Sequence, residues 1–250
     1  MFYWRATRSG GQEHPPTVEM AFTSRAPHRG NPPYDGFNLG GHVGDDPAGV
    51  EANRALLAES MQVPRDRLLF LRQVHGTEVV QAAGPWPTEV PEADGVVCRA
   101  PGLALAVLVA DCVPVLLHDA RAGVIGAVHA GRPGMLGGVV PRAVEAMRKL
   151  GAQDVSAVVG PSVCARCYEV PAEMADRAAH AVPSSAARSW TGTPAIDVAA
   201  GVVEQLAASE VAVTWVRGCT REQEELYSYR RDGQTGRFAG VIVLRGEQEV

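Results

Sequence analysis

No apolar run in this sequence approaches the roughly 18–20 residues that a membrane span needs, so a transmembrane helix is not expected. Positive charge is not in surplus either: 23 Lys and Arg stand against 28 Asp and Glu, for a net charge of −5. Without a basic field, nucleic acid and anionic membranes are poor partners. Cysteine is scarce, with five residues in 250, and the number is odd. The first residues carry no apolar core of the kind a signal peptide has. These two features point to a reducing, cytoplasmic setting and to thiols that bind or react, rather than to a disulfide framework. No internal repeat, low-complexity tract or clear linker divides the chain.

What is present is enough apolar material, 46% of 250 residues, for a large core. The pattern predicts a polar, flexible N-terminus over residues 1–17, with a short strand at 2–5, and a single domain over 18–245. A strand is expected at 18–24, followed by a Gly- and Pro-crowded loop to residue 44, of a length that usually signals function. Asp45-Asp46-Pro47 reads as the start of a helix running to about residue 61. Residues 67–74 read as an apolar strand arriving at His75-Gly76, with 77–82 as its hairpin mate and a further strand at 94–97. Later helices are expected at 139–150, 171–181 and 197–209, later strands at 155–159, 211–216 and 238–244, and a loop at 182–194. Strands and helices mix without strict alternation, which favours an α+β fold, one domain of mixed sheets flanked by helices.

The organising stretch is residues 103–134, LALAVLVADCVPVLLHDARAGVIGAVHAGRPG with its flanks. Two apolar runs lie either side of a polar, Gly-closed turn at 118–123. The first is interrupted by Asp111-Cys112 and Pro114, and a central strand carries neither a charge nor a proline comfortably. The second ends in His129-Ala130-Gly131. With His75 there are three metal-capable side chains, each in or just after a buried run and next to a Gly or Pro. Two imidazoles and a thiolate are a set that catalytic zinc uses when it keeps a fourth position open. Their separations, 37 and 17 residues (112 − 75 and 129 − 112), are too long for a zinc finger and suit ligands from separate strands. Each residue also has a plainer reading, as a core histidine or a small apolar cysteine, and Cys112 with a histidine reads equally as a thiol nucleophile and its base. Cys164-x-x-Cys167 is a weak redox or metal signal, and Cys98 and Cys219 read as structural.

The segments FNLGGHVGDD, RQVHGTEV, ADGVV, DCVPVLLHD, AVHAGRPG, GPSVCARCYEV and YSYRRDGQTGR resemble, in order, the motifs of the YfiH/YlmD family. That family has been called laccase-domain polyphenol oxidase and peptidoglycan editing factor, and is associated with purine nucleoside phosphorylase and adenosine deaminase activity. The resemblance runs from about residue 22 to 243 and implies the YfiH-like α+β fold. It implies that His75, Cys112 and His129 hold the family's metal, zinc or alternatively copper, and take part in catalysis. It also marks Asn38, Arg54, Gln73, Asp94 and Arg230 as candidates for holding nucleoside or phosphate.

The implied reactions are phosphorolysis of adenosine, inosine and methylthioadenosine to the free base and ribose 1-phosphate, together with deamination of adenosine. Phosphorolysis needs cations or N–H donors to hold phosphate, for which the loop 30–44 and Arg54 are candidates. A copper polyphenol oxidase is the alternative, disfavoured by seven histidines and no His-x-His pair. A hydrolase that edits peptidoglycan precursors is the other alternative. Two departures stand out: HAGRPG where the family usually reads HAGWRG, and Cys164 where it has glycine.

Overall fold

A computed structural model describes residues 1–11, 16–26 and 31–246. Residues 27–30 of the loop expected over 25–44, and residues 12–15 of the N-terminus expected to be flexible, therefore lie outside the described residues. Strands β1 (Phe2–Ser9) and β2 (Thr17–Thr23) open the chain, followed by helix α1 (Pro47–Ser60). Then come β3 (Leu68–Leu69), β4 (Val79–Ala82), β5 (Gly95–Cys98), β6 (Ala104–Val109), β7 (Val113–Asp119) and β8 (Val124–Ala130). Helices α2 (Arg132–Gly137) and α3 (Val139–Lys149) lead to β9 (Ser156–Val159) and α4 (Ala172–Ala181). The rest is β10 (Ala186–Arg188), β11 (Pro194–Ile196), α5 (Val198–Ala208), β12 (Ala212–Trp215), α6 (Tyr229–Asp232) and β13 (Phe238–Arg245). Among the described residues no helix is long and apolar enough to cross a membrane.

Two mixed sheets stack face to face. One has the order β1-β2-β13-β6-β3 and the other β12-β9-β7-β8-β5-β4, with β10-β11 a separate hairpin. The period-2 pattern of the strands builds the layers. In β6, Leu105 and Val107 point between the sheets, whereas Ala104, Ala106 and Leu108 face the layer that holds Leu57 and Met61 at the end of α1. In β8, Ile125 and Ala127 join the inter-sheet core while Val124, Val128 and Ala130 pack against Val140, Val144 and Met147 of α3. The order is thus helix, sheet, sheet, helices, the α+β class that the mixed pattern predicts. Helix α1 starts where the sequence places it, with the Asp46 carboxylate accepting from the Ala48 and Gly49 N–H groups and Pro47 in the first turn.

Several expectations are corrected. The N-terminal strand runs from Phe2 to Ser9 and pairs along its length with β2, so these residues belong to a sheet and are not a frayed tail. The strand expected at 67–74 shrinks to Leu68–Leu69, because beyond it the backbone donors turn to a side chain instead of a neighbouring strand. Its expected hairpin mate, β4, pairs parallel with β5 in the other sheet. The stretch 182–194 holds a short 3-10 turn (Pro183–Ser185) and β10. Pro114 stays inside β7, opposite His129 of β8, so only Asp111-Cys112 breaks the pairing.

The β7–β8 turn is held by Asp119, which is 3% exposed. Its carboxylate accepts from the Ala122 N–H at 2.9 Å and from the Gln153 and Asp154 N–H groups at 2.8 and 3.0 Å, tying the turn to the segment before β9. Burial works to raise its pKa, but these backbone bonds hold it below the usual carboxylate range. The stabilisation from a depressed carboxylate is present above about pH 4 and is lost as pH falls through the folded-state pKa. Asp119→Ala is expected to cost about 1–3 kcal/mol in urea unfolding at pH 7, and less as the pH drops below about 4. A pH-independent loss would contradict this assignment.

Candidate active site

The site forms where several chain segments meet at one end of the six-stranded sheet. His129 is the penultimate residue of β8, and Cys112 immediately precedes β7 alongside it. His75 comes from the connection between β3 and β4, and sits in the left-handed region at φ 59°. The ligand-capable atoms of His75, Cys112 and His129 all lie within 4.8 Å of one another. Cys112 Sγ is 3.7 Å from His75 Nε2, and the two imidazole rings meet edge to face with centroids 4.7 Å apart.

Asp94, fully buried just before β5, holds this arrangement. Its carboxylate accepts from the N–H groups of Val74, His75 and Gly76 at 3.2, 3.0 and 2.6 Å. The same carboxylate is 2.7 Å from His129 Nδ1. One side chain therefore fixes the backbone carrying one imidazole and the ring orientation of the other. It also leaves His129 Nε2 available for ligation, the carboxylate–histidine arrangement common behind metals. Burial works to raise the Asp94 pKa, but the bonds from His129, Gly76 and Val74 keep it below the usual range.

Charge within the trio is coupled. Burial opposes the Cys112 thiolate, but the His129 charge and bonds from both imidazoles bring its pKa down to about 6. Burial likewise opposes the His129 imidazolium, but the thiolate and Asp94 raise it to about 9. The metal-free pair is thus a thiolate beside an imidazolium at neutral pH. An ion bound there would displace the His129 proton and take over as the positive partner.

Two imidazoles and one thiolate converging this closely, backed by a carboxylate and open on one side, fit a single metal ion with a free position. The open side is a cavity of about 390 Å³. Its wall includes His42, Arg132, Tyr168, Tyr229, Arg230 and Arg237. The Arg230 guanidinium lies 4.9 Å over the Tyr168 ring. His42 has its pKa lowered by burial and by the charges of Arg237, Arg54, His129 and His75, so it is neutral at pH 7.

Of the other expected residues, Arg230 and Gln73 line the cavity. The Gln73 amide is already committed, bonding both the N–H and the carbonyl of Leu108 at 2.8 Å. Asn38, Arg54 and Asp94 do not line it. Asn38 is fully buried, accepts from Gly40 and Arg237 N–H groups and donates to Asp45. Arg54 donates to the Leu39 carbonyl and lies over Phe70. Asn38 and Arg54 are thus bonded to the protein's own backbone and side chains, and Asp94 to the trio and the loop beside it, which their polar character in the sequence does not advertise.

The residues not anticipated as site residues are His42, Tyr168, Tyr229 and Arg237. All four fall within motifs quoted above, which was the available signal. Arg132, the first residue of α2, does reach the cavity. Asp111 adds strain at φ 99°, its carboxylate held by Thr220 and Ser228 hydroxyls at 2.7 Å and the Arg230 N–H at 2.6 Å.

Residues 19–245 match the family model described as multi-copper polyphenol oxidoreductase laccase. The chain belongs to that family. A Mycobacterium tuberculosis (strain H37Rv) protein named purine nucleoside phosphorylase is 50% identical over 228 residues, 90% of this chain and 91% of its own. A Streptomyces coelicolor protein of the same name is also 50% identical, over 91% and 96%. Among solved structures, Neisseria meningitidis protein NMB0706 superposes with a TM-score of 0.83 at 31% identity, covering 97% of this chain and 99% of that one. YlmD from Geobacillus stearothermophilus gives 0.81 at 27%, over 95% and 99%. These two solved structures thus share this chain's fold.

Gly131 follows β8, and a Cβ placed there would lie 2.7 Å from His75 Cδ2 and 3.2 Å from Cys112 Sγ. Its φ of −75° is ordinary, so the requirement is space and not backbone freedom. Gly131→Ala is expected to displace the His75 and Cys112 side chains and cut metal affinity by about 10–100-fold, with the fold retained. Metal titration and circular dichroism check this; unchanged affinity would contradict the crowding.

Proposed function

We propose that this chain is a zinc-dependent purine nucleoside phosphorylase that also deaminates adenosine. The observation that carries the reading is the joint placement of the His75–Cys112–His129 group and three arginines around one cavity of about 390 Å³. The names of the relatives that are 50% identical support the same activity. Adenosine, inosine and methylthioadenosine are the proposed nucleosides. A cavity of this size, flanked by Tyr168 and Tyr229, suits a purine nucleoside with phosphate.

When bound by His75, Cys112 and His129, zinc supplies Lewis acidity to an oxygen at the floor of the cavity. Arg132, Arg230 and Arg237 hold the phosphate dianion by charge-assisted bonds and aim an oxygen at C1′ of the ribose. The C1′–O bond forms as the C1′–N9 bond breaks, and the purine leaves with the bonding electron pair. Hydrogen phosphate gives up its proton as its oxygen joins C1′ and the departing base takes one up, so the charges balance, and neutral His42 on the wall is placed to hold a hydrogen bond to the base. The products are the free base and ribose 1-phosphate. Deamination needs only attack of water at C6 and loss of ammonia, with the nucleoside turned to bring its base to the zinc end.

The oxidase wording of the family description finds less support. Among the described residues the groups of metal-capable side chains are two, and the one on the cavity offers two imidazoles and a thiolate. A multicopper centre requires many more histidines than that. Inosine with phosphate tests the proposal: zinc-loaded wild type should release hypoxanthine only when phosphate is present. Arg237→Ala should raise the KM for phosphate by about 10-fold or more, the loss of one charge-assisted anion bond. Zinc-loaded protein that releases no base would overturn the assignment and direct attention to the peptidoglycan-precursor alternative.

A further inference from the structure

A second group of ligand-capable side chains lies outside the trio. Cys164, Cys167, Cys219 and Glu222 each present one donor atom, and all four atoms lie within 4.8 Å of one another. They come from two turns that are 52 residues apart (219 − 167) and have the same construction. In the first, the N–H groups of Cys167 and Tyr168 bond the Cys164 carbonyl at 3.0 and 3.1 Å. In the second, those of Glu222 and Gln223 bond the Cys219 carbonyl at 3.1 and 3.0 Å. The sequence spacing is correspondingly Cys-x-x-Cys and Cys-x-x-Glu. A parallel bridge between Ser162 and Cys219 brings the two turns side by side.

We propose that Cys164, Cys167, Cys219 and Glu222 form a second metal site, which takes a closed, four-ligand zinc ion and staples the two turns together. In a tetrahedral zinc site with bonds of about 2.0–2.3 Å, ligand atoms stand about 3.5–3.8 Å apart, so small side-chain rotations complete the geometry. The three thiols give up their protons to solvent as the donors close on the ion. The Cys164 N–H already points at Cys219 Sγ, 3.4 Å away, and supplies a hydrogen bond that a thiolate uses better than a thiol.

An apolar thiol cluster does not account for the arrangement as well. Cys167 and Cys219 are buried with Val163, but the Glu222 carboxylate is turned into the cluster, 3.3 Å from Cys167 Sγ. Trp190 Nε1 donates to the same carboxylate oxygen at 3.4 Å. Arg166 and Arg217, which line the cleft beside Cys164 and Cys219, offset the excess negative charge of three thiolates and a carboxylate.

Four protein ligands leave no open position, so this ion is structural. Its effect still reaches the active cavity. Val163, next to Cys164, donates to the Asp111 carbonyl at 3.0 Å, and Thr220, next to Cys219, bonds the Asp111 carboxylate at 2.7 Å. Asp111 precedes the ligand Cys112. The staple thereby holds the strained turn that presents the cavity's thiolate.

Zinc content of the full chain, purified without added metal or chelator, tests the site apart from any enzymatic activity. Cys112→Ala, which removes the cavity's thiolate, should retain about one zinc per chain, and Cys112→Ala/Cys219→Ser should fall to near zero. Cobalt-loaded Cys112→Ala should show the intense visible absorption of tetrahedral thiolate-bound Co(II), which needs no second variant to fold. A zinc-free Cys112→Ala protein without that absorption would overturn the proposal. So would zinc retained in the double variant, or a disulfide found by mass among Cys164, Cys167 and Cys219.

Discussion

The active end of this molecule depends on one buried carboxylate. Asp94 is fully enclosed, and an ionised carboxylate in that position is tolerated only if its oxygens are satisfied. Four donors satisfy them: three successive N–H groups of the loop at residues 74–76 and the imidazole of His129. Each donor group carries or adjoins a member of the metal-capable trio, so the bonds that make burial affordable also set the site's geometry. The left-handed conformation of His75 follows from the same constraint, since three consecutive amides converge on one acceptor. Strain at this residue is held in place by the charge it serves.

Electrostatics extends outward from there. Negative Asp94 favours a charged His129, charged His129 favours a Cys112 thiolate, and the arginines on the cavity wall leave the opening positive. A metal ion can replace the His129 proton without disturbing this order. The opening then favours an anion, the property a phosphate-using enzyme needs. The sheets contribute rigidity: β7 and β8 run side by side at the centre of the larger sheet, so strand register sets the position of His129, and Cys112 sits in the turn one residue before the first paired residue of β7.

The trio was legible because chemistry-bearing residues interrupting apolar runs are costly, and three such interruptions beside turn residues form a pattern. Helices with strong caps, such as α1, were legible for a similarly local reason. Helix α2 was not, because Arg-Pro-Gly-Met-Leu-Gly has poor helix propensity and forms from Pro in its first turn and from packing against β8. The strand expected at 67–74 failed because Gln73 and the 74–76 amides bond non-local partners, Leu108 and Asp94, which no window reveals. The same limit explains Asn38 and Arg54. Sequence shows that a residue is polar, but not whether its polar atoms face a ligand or are already bonded to backbone. Cys219 read as structural until the fold set it beside Cys164 and Cys167.

The most direct test of this account is the zinc affinity of Asp94→Asn relative to wild type, with the fold monitored by circular dichroism. The substitution keeps the size of the side chain but removes its charge and one of its two acceptor oxygens. The account predicts a folded protein whose cavity binds zinc about 10–100-fold more weakly, as loss of a carboxylate behind a metal-binding histidine generally does. A folded D94N variant with wild-type affinity at the His75–Cys112–His129 site would contradict the claim that this carboxylate organises it.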